Sequence, residues 1–181
     1  CYNPQAVFPM YYVVRVNKKP SAFGMGKKQP DLPHPQAQWD TYQGKYKLYP
    51  GYGRDMAGND TGYYMTYDLA KGEQVEVQVG VSFVSIEGAR ANLNAEQQGF
   101  NFDKTVAYTR AEWANTLNRI SVEGGTDDQR RVLYTALYHS QIHPTVLQDV
   151  DGKYPKMESN ENGHTNGNRY TVYSLWDTYR N

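Results

Sequence analysis

The sequence predicts an α+β chain in which strands come first and helices second, and three observations carry that prediction. Apolar and polar side chains alternate along residues 75–83, apolar positions recur at helical spacing in residues 103–119 and again in 126–140, and the change of period falls near residue 102. Runs of strands followed by runs of helices mark an α+β domain or, more simply, the end of one domain and the start of another. A length of 181 residues allows one ordinary domain or parts of two.

The elements follow in order. "FPMYYVVRV" (Phe8 to Val16) is rich in β-branched and aromatic residues and stops at "NKKP", where Pro20 and its polar neighbours break the run, so a strand is expected there. From Ser21 to Asp60 the chain is Pro, Gly, Gln, Lys and Tyr with few aliphatics, which reads as a long surface insertion or an irregular hairpin. After the tyrosine-rich "TGYYMTYDL" comes the clearest strand, in which Val75, Val77, Val79, Val81 and Phe83 form an apolar face opposite a wetter one. One apolar face predicts an antiparallel sheet packed on a partner, with a β-sandwich as the natural host. "ANLNAEQQGFNF" is expected to lead out of the sheet.

Asp103 is the expected N-cap of a first helix reaching to about Arg119, with Val106, Arg110, Trp113 and Leu117 at helical spacing. "SVEGGT" interrupts. Thr126 then caps a second helix, with Asp127 and Asp128 in its first turn and Gln129 completing a capping box. Val132, Leu133, Ala136, Leu137 and Ser140 share one face of it, and Pro144 closes it. "DVDGKYPKMESNENGHTNGNRYT" reads as loop with turn signals.

Composition narrows the function. Nineteen Lys and Arg balance nineteen Asp and Glu, so nothing draws in a phosphate backbone or an anionic membrane, and nucleic acid is not an expected partner. There is neither an apolar run of membrane-spanning length nor a charged-then-apolar start, so a soluble chain is expected, without membrane insertion. A single cysteine cannot form an intrachain disulfide; Cys1 reads as an ordinary cysteine in preference to a lipid-bearing first residue. Aromatic residues make up 14%, with 17 Tyr against 5 Phe, and amphipathic rings suit half-wet β-surfaces and carbohydrate contacts.

Among local motifs, His139 and His143 stand four apart at metal-ligand spacing, but without the glutamate of a zinc-protease motif they read as structural histidines near a helix end. Asp149 and Asp151 in "DVDGKY" resemble half of a calcium loop lacking its later ligands; an Asp-Gly turn is the preferred reading, with one or two oxygens for a metal as the weaker one. "NDT" at residues 59–61 fits a glycosylation pattern short enough to arise by chance. The closing "YTVYSLWDTYRN" sets Asp177 between Trp176 and Tyr179, with Arg180 behind. Rings beside a carboxylate suit a sugar, whose C–H face stacks while its hydroxyls hydrogen-bond, and they equally suit a core corner with Asp177 as a brace.

Taken together, "VEVQVGVSFVSIEGARANLNAE", "FDKTVAYTRAEWANTLNRISVEGGT", "RRVLYTALYHSQIHP", "DVDGKY" and "YSLWDTYR" resemble glycoside hydrolase family 92 in order and spacing, over roughly residues 73–180. The resemblance implies an N-terminal β-sandwich to residue 102, a helical linker over 103–125, and the start of an (α/α)6 catalytic barrel over 126–181. It implies an exo-acting, inverting, calcium-dependent α-mannosidase acting on mannose-containing glycans, with α-1,2 linkages expected, in the periplasm or outside the cell. Cys1 then falls inside the sandwich. Asp177 resembles the family aspartate that holds mannose hydroxyls, and Trp176 and Arg180 would shape or orient it. The general acid and base, and most calcium ligands, would lie in the remainder of the polypeptide, so no catalytic residue is expected among these 181 and the chain alone is expected to be inactive. The competing readings are a non-catalytic carbohydrate-binding β-sandwich module and a structural domain whose exposed aromatics meet another subunit.

Overall fold

The computed structural model describes residues 9–28, 46–58, 60–157 and 159–171. They divide into two units, one running from Val16 to Val75 and the other joining the residues up to Arg15 with those from Glu76 onward.

The first strand, β1 (Tyr11–Val16), belongs with the second unit. The Val16–Val75 unit is built on β2 (Ala22–Lys28), the middle strand of an antiparallel sheet between β3 (Tyr46–Pro50) and β4 (Gly62–Thr66). Gly24 sits opposite Pro50 on one side and Tyr64 on the other. A Cβ added to Gly24 would lie 2.5 Å from the Tyr64 hydroxyl and 2.6 Å from the Tyr49 carbonyl oxygen, so glycine is what lets the Tyr64 ring cross the strand. Met25 beside it is almost wholly buried. The hairpin expected within residues 21–60 is therefore present as β2 and β3, in regular pairing, and β4 supplies the third strand that makes such a sheet tenable in water. Its strand character was hidden because "AFGMGKK" carries no β-branched residue. Lys18 and Glu73 form an ion pair in this unit, and the Lys18 hydrogen bond holds the Glu73 carboxyl below its ordinary range.

In the other unit β1 pairs with β5 (Val77–Ser82). Helix α1 (Ile86–Glu96) follows directly and lies on β5, where Ala89 and Leu93 are buried. This helix corrects the expectation that residues 91–102 lead out of the sheet. Its N-cap is Ser85, whose hydroxyl accepts from the Gly88 amide at 2.9 Å.

The packed face of β5 also differs from the one its alternation suggests. Gly80 and Ser82 are buried under α1, whereas Val77, Val79 and Val81 are 56%, 55% and 41% exposed. The reason is close approach. A Cβ at Gly80 would lie 2.3 Å from the Ala89 carbonyl oxygen, so only a bare strand position admits the helix backbone. Covering the open valine face would stabilise the protein by roughly 1 kcal/mol per side chain, about half the gain of complete burial. Arg15 ties the unit together, donating to Gln78 Oε1 at 2.9 Å, the Gln97 carbonyl at 2.7 Å and Asn94 Oδ1 at 3.2 Å.

Helix α2 (Phe102–Leu117) starts two residues earlier than the expected cap at Asp103 implies. Asn101 is the cap, accepting from the Lys104 amide at 2.9 Å, and Asp103 instead adds charge to the first turn. Helix α3 (Asp127–Ser140) has the expected capping box: Thr126 Oγ1 accepts from the Gln129 amide at 3.2 Å, and Gln129 Oε1 accepts from the Thr126 amide at 2.9 Å. Trp113 and Tyr138 join α2 to α3 edge to face, with centroids 4.6 Å apart. Much of the α3 apolar face is open, with Val132 70% exposed. A short antiparallel hairpin, β6 (Lys153–Pro155) and β7 (Asn162–His164), follows. No helix among the described residues is long and apolar enough to cross a membrane.

Two outcomes are expected. Gly80→Ala should lower stability by about 2 kcal/mol, read as the shift of the urea midpoint, because the added methyl meets backbone that cannot rotate away. An unchanged midpoint would contradict the packing of α1 on β5. The chain by itself should bind a hydrophobic dye and lose structure over a broad temperature range, since two apolar faces are uncovered; a sharp transition without dye binding would count against it.

Candidate functional site

The sequence-derived sugar contacts, Trp176, Asp177 and Arg180, lie outside the described residues. The structure does define the segment that leads into them. Thr145 to Gln148 run beside Arg169 to Thr171: Val146 bridges Tyr170, the Leu147 amide donates to the Arg169 carbonyl at 2.7 Å, and the Thr171 amide donates to the Thr145 carbonyl at 2.9 Å. The Arg169 amide donates to Gln148 Oε1, and the Thr145 amide to Thr171 Oγ1 at 3.0 Å. These bonds form a narrow two-stranded ribbon.

Asp149 stands at the base of that ribbon and is 4% exposed. Its Oδ2 accepts from the Ser82 hydroxyl at 2.7 Å, and its Oδ1 accepts from Asn92 Nδ2 at 2.8 Å. Asn92 Nδ2 also donates to the Val81 carbonyl at 2.9 Å, while Asn92 Oδ1 accepts from the Val150 amide at 2.8 Å. Ser82 Oγ accepts from the amides of Val84 at 2.8 Å and Ser85 at 3.2 Å. With both lone pairs of the hydroxyl so occupied, its one hydrogen goes to Asp149. Every polar group of the cluster is paired, as a buried carboxylate requires. Gly88 makes the approach feasible, since a Cβ there would lie 2.1 Å from Asp149 Oδ2.

The turn after Asp149 is the Asp-Gly turn preferred from sequence. Gly152 adopts φ of +83° and donates its amide to the Asp149 carbonyl at 2.9 Å. Asp151 points elsewhere and pairs with Lys153 Nζ at 2.7 Å. Its carboxyl is held below its ordinary value of 3.8, chiefly by that side-chain hydrogen bond and then by the Lys153 amide. The contribution of the pair is thus present above the ordinary carboxyl range and lost as pH falls below it, and solvent keeps it small.

The two aspartates, weak metal candidates by sequence, do not converge. A calcium ion takes six to eight oxygen ligands, whereas the oxygens of Asp149 are committed to protein donors and Asp151 faces an ammonium group. Among the described residues no group of three His, Cys, Asp or Glu could hold a metal ion. Asp149 and Asp151 therefore do not fit a calcium site. His139 packs beside Tyr138 with centroids 5.6 Å apart, and the structure does not bring it together with the two aspartates into a ligand set.

Beside β5 lies a cleft of 330 Å³, lined among others by Val81, Phe83, Asn92, Glu96, Gln148 and Asp149. Ser82, Asn92 and Gly88 escaped the sequence reading. The signal that could have found them is "SFVSIEG", in which Ser85 caps a helix whose first turn carries Glu87.

Comparison with known proteins places the chain among the glycoside hydrolases. Residues 88–181, just over half of the sequence, match the family described as the glycosyl hydrolase family 92 catalytic domain, and the chain belongs to that family. It is 26% identical to a family 92 inverting mannosidase of Bacteroides thetaiotaomicron, with a TM-score of 0.75 over 98% of this chain and 22% of that one. A family 92 alpha-mannosidase of the same organism is 25% identical, with a TM-score of 0.69 over 94% of this chain and 21% of the other. An uncharacterized secreted glycosidase of Arthroderma benhamiae is 33% identical over 111 residues, 59% of this chain and 13% of that protein. The chain thus spans about a fifth of the length of the solved structures it matches.

Asp149→Ala should cost roughly 3 kcal/mol, because it strands the Ser82 hydroxyl and the Asn92 amide in the interior. Asp151→Ala, two residues away in solvent, should leave the midpoint in place. Equal effects in a urea titration of the two variants would contradict the network.

Proposed function

We propose that the longer protein to which these residues belong is an exo-acting α-mannosidase that removes α-linked mannose, α-1,2 linkages first, from glycans with inversion of configuration. The observation that carries this is the family match over residues 88–181, supported by the mannosidases that the fold resembles over nearly its whole length. Residues 1–102 would contribute to a β-sandwich, 103–125 to a helical linker and 126–181 to the start of an (α/α)6 catalytic barrel. The secreted relative supports action outside the cytoplasm, in the periplasm or outside the cell.

Inverting hydrolysis needs one carboxylic acid to protonate the leaving oxygen and one carboxylate to activate water on the opposite face of the sugar, about 6.5–9.5 Å apart so that the water fits. Both belong, in this proposal, to polypeptide beyond these 181 residues, and so do the ligands of a required calcium ion. The present chain supplies binding. Asp177 accepts hydrogen bonds from mannose hydroxyls, Trp176 offers a ring face to the C–H side of the pyranose, and Arg180 orients the Asp177 carboxylate. Such contacts fix the sugar where acid and water can act.

Mannose release from α-linked mannobioses by the longer protein tests this, with calcium and then with a chelator. Release should stop with the chelator, and Asp177→Ala should lower kcat/KM by about a hundredfold or more, the scale of losing a hydrogen-bonded positioning contact. No release from any linkage would overturn the proposal in favour of a carbohydrate-binding module. The 181-residue chain alone should release none.

A further inference from the structure

We propose that Asp149, acting with Ser82 and Asn92, is a positioning residue for the sugar-binding segment. It clamps the base of the 145–148/169–171 ribbon onto β5 and α1, and the ribbon carries the chain into the segment containing Asp177. This rests on the reading of Asp177 given above.

The geometry is directional. Asp149 receives one donor from β5, the Ser82 hydroxyl, and one from α1, the Asn92 carboxamide, so its carboxylate joins two elements to the start of a third segment. Asn92 holds the same turn a second time through the Val150 amide. From Asp149 the register passes without a break to Gln148, whose side chain takes the Arg169 amide, and to Leu147 and Thr145, which bond Arg169 and Thr171. Thr171 precedes Asp177 by six residues. A shift of the clamp therefore moves the exit of the ribbon. Catalytic geometry is sensitive to remote misplacement, where about 1 Å can cost about a hundredfold.

The donors and acceptors permit a test that separates positioning from bulk stability. In Asp149→Asn, the new carboxamide meets either Ser82 or Asn92 donor to donor, because the Ser82 lone pairs are filled and Asn92 presents hydrogen. In Asn92→Asp, two carboxylates face each other. The exchange Asp149→Asn with Asn92→Asp restores a carboxamide-to-carboxylate bond and keeps the Ser82 and Val150 bonds, but it sets the new carboxylate at position 92 against the Val81 carbonyl oxygen, where the Asn92 amide had donated.

Steady-state mannoside kinetics of the longer protein, well below the melting temperature of each variant, should show each single substitution lowering kcat/KM by about tenfold or more, mainly through KM, and the exchange recovering a measurable part of the loss. Hydrogen exchange of the Leu147 and Thr171 amides should quicken in the single variants and slow again in the exchange. If melting temperatures fall while KM, kcat and those amides stay unchanged, Asp149 only stabilises and the proposal is overturned. If the unsubstituted protein releases no mannose, the reading of Asp177 fails instead, and the amide exchange still decides whether Asp149 holds the ribbon.

Discussion

A carboxylate can remain inside a protein only if donors meet it there, and Asp149 shows how far one such requirement reaches. Its two oxygens call on Ser82 at the end of β5 and Asn92 in the middle of α1. Ser82 can answer only as a donor, because the amides that open α1 already fill its lone pairs. Asn92 can answer only in the orientation that also pairs Val81 and Val150. One buried charge thus fixes the strand end, the helix start and the turn at 149–152 against each other. Replacing any member leaves another unsatisfied, which makes the cluster costly to change piecemeal.

The cluster is possible because two positions lack side chains. Gly80 lets the α1 backbone settle on β5, and Gly88 lets the carboxylate reach the first turn of the helix. Packing here is by backbone proximity and polar closure, and among the described residues of this unit the buried apolar side chains are Ala89 and Leu93. The larger apolar groups, on β5 and on α3, face outward. In a family whose solved members are about five times this length, such faces are where further polypeptide has room to pack.

What could be read from sequence follows the same division. Local signals survived: the capping box at Thr126 and the Asp-Gly turn at Asp151 each concern a few neighbouring residues, and the structure bears out both. The α+β character and the two later helices were legible for the same reason. Signals that depend on distant partners misled. Alternation along Val77 to Phe83 is real, yet which face is packed was decided by Gly80 and a helix that begins only four residues after the strand ends. That helix went unread because Asn92, Asn94 and Gly88 depress its helical propensity, and its stabilisation comes from tertiary contacts. β2 was obscured by its glycines, of which Gly24 admits the Tyr64 ring. For the site, "DVDGKY" gave the turn, but nothing near it in sequence pointed to Ser82, which lies 67 residues away.

That separation bears on the order in which the chain acquires structure. Bringing Ser82 to Asp149 closes a loop of 67 residues, at an entropic cost of about 4 kcal/mol before any other contact helps. Within that loop lie α2 and α3, whose caps and mutual ring contact are local and can form early. As the chain emerges from the ribosome, β5 and α1 are made first and must wait with the Ser82 hydroxyl and the Asn92 amide still hydrated until both helices and the turn have followed. The carboxylate therefore acts late in folding, joining two locally formed parts into one unit.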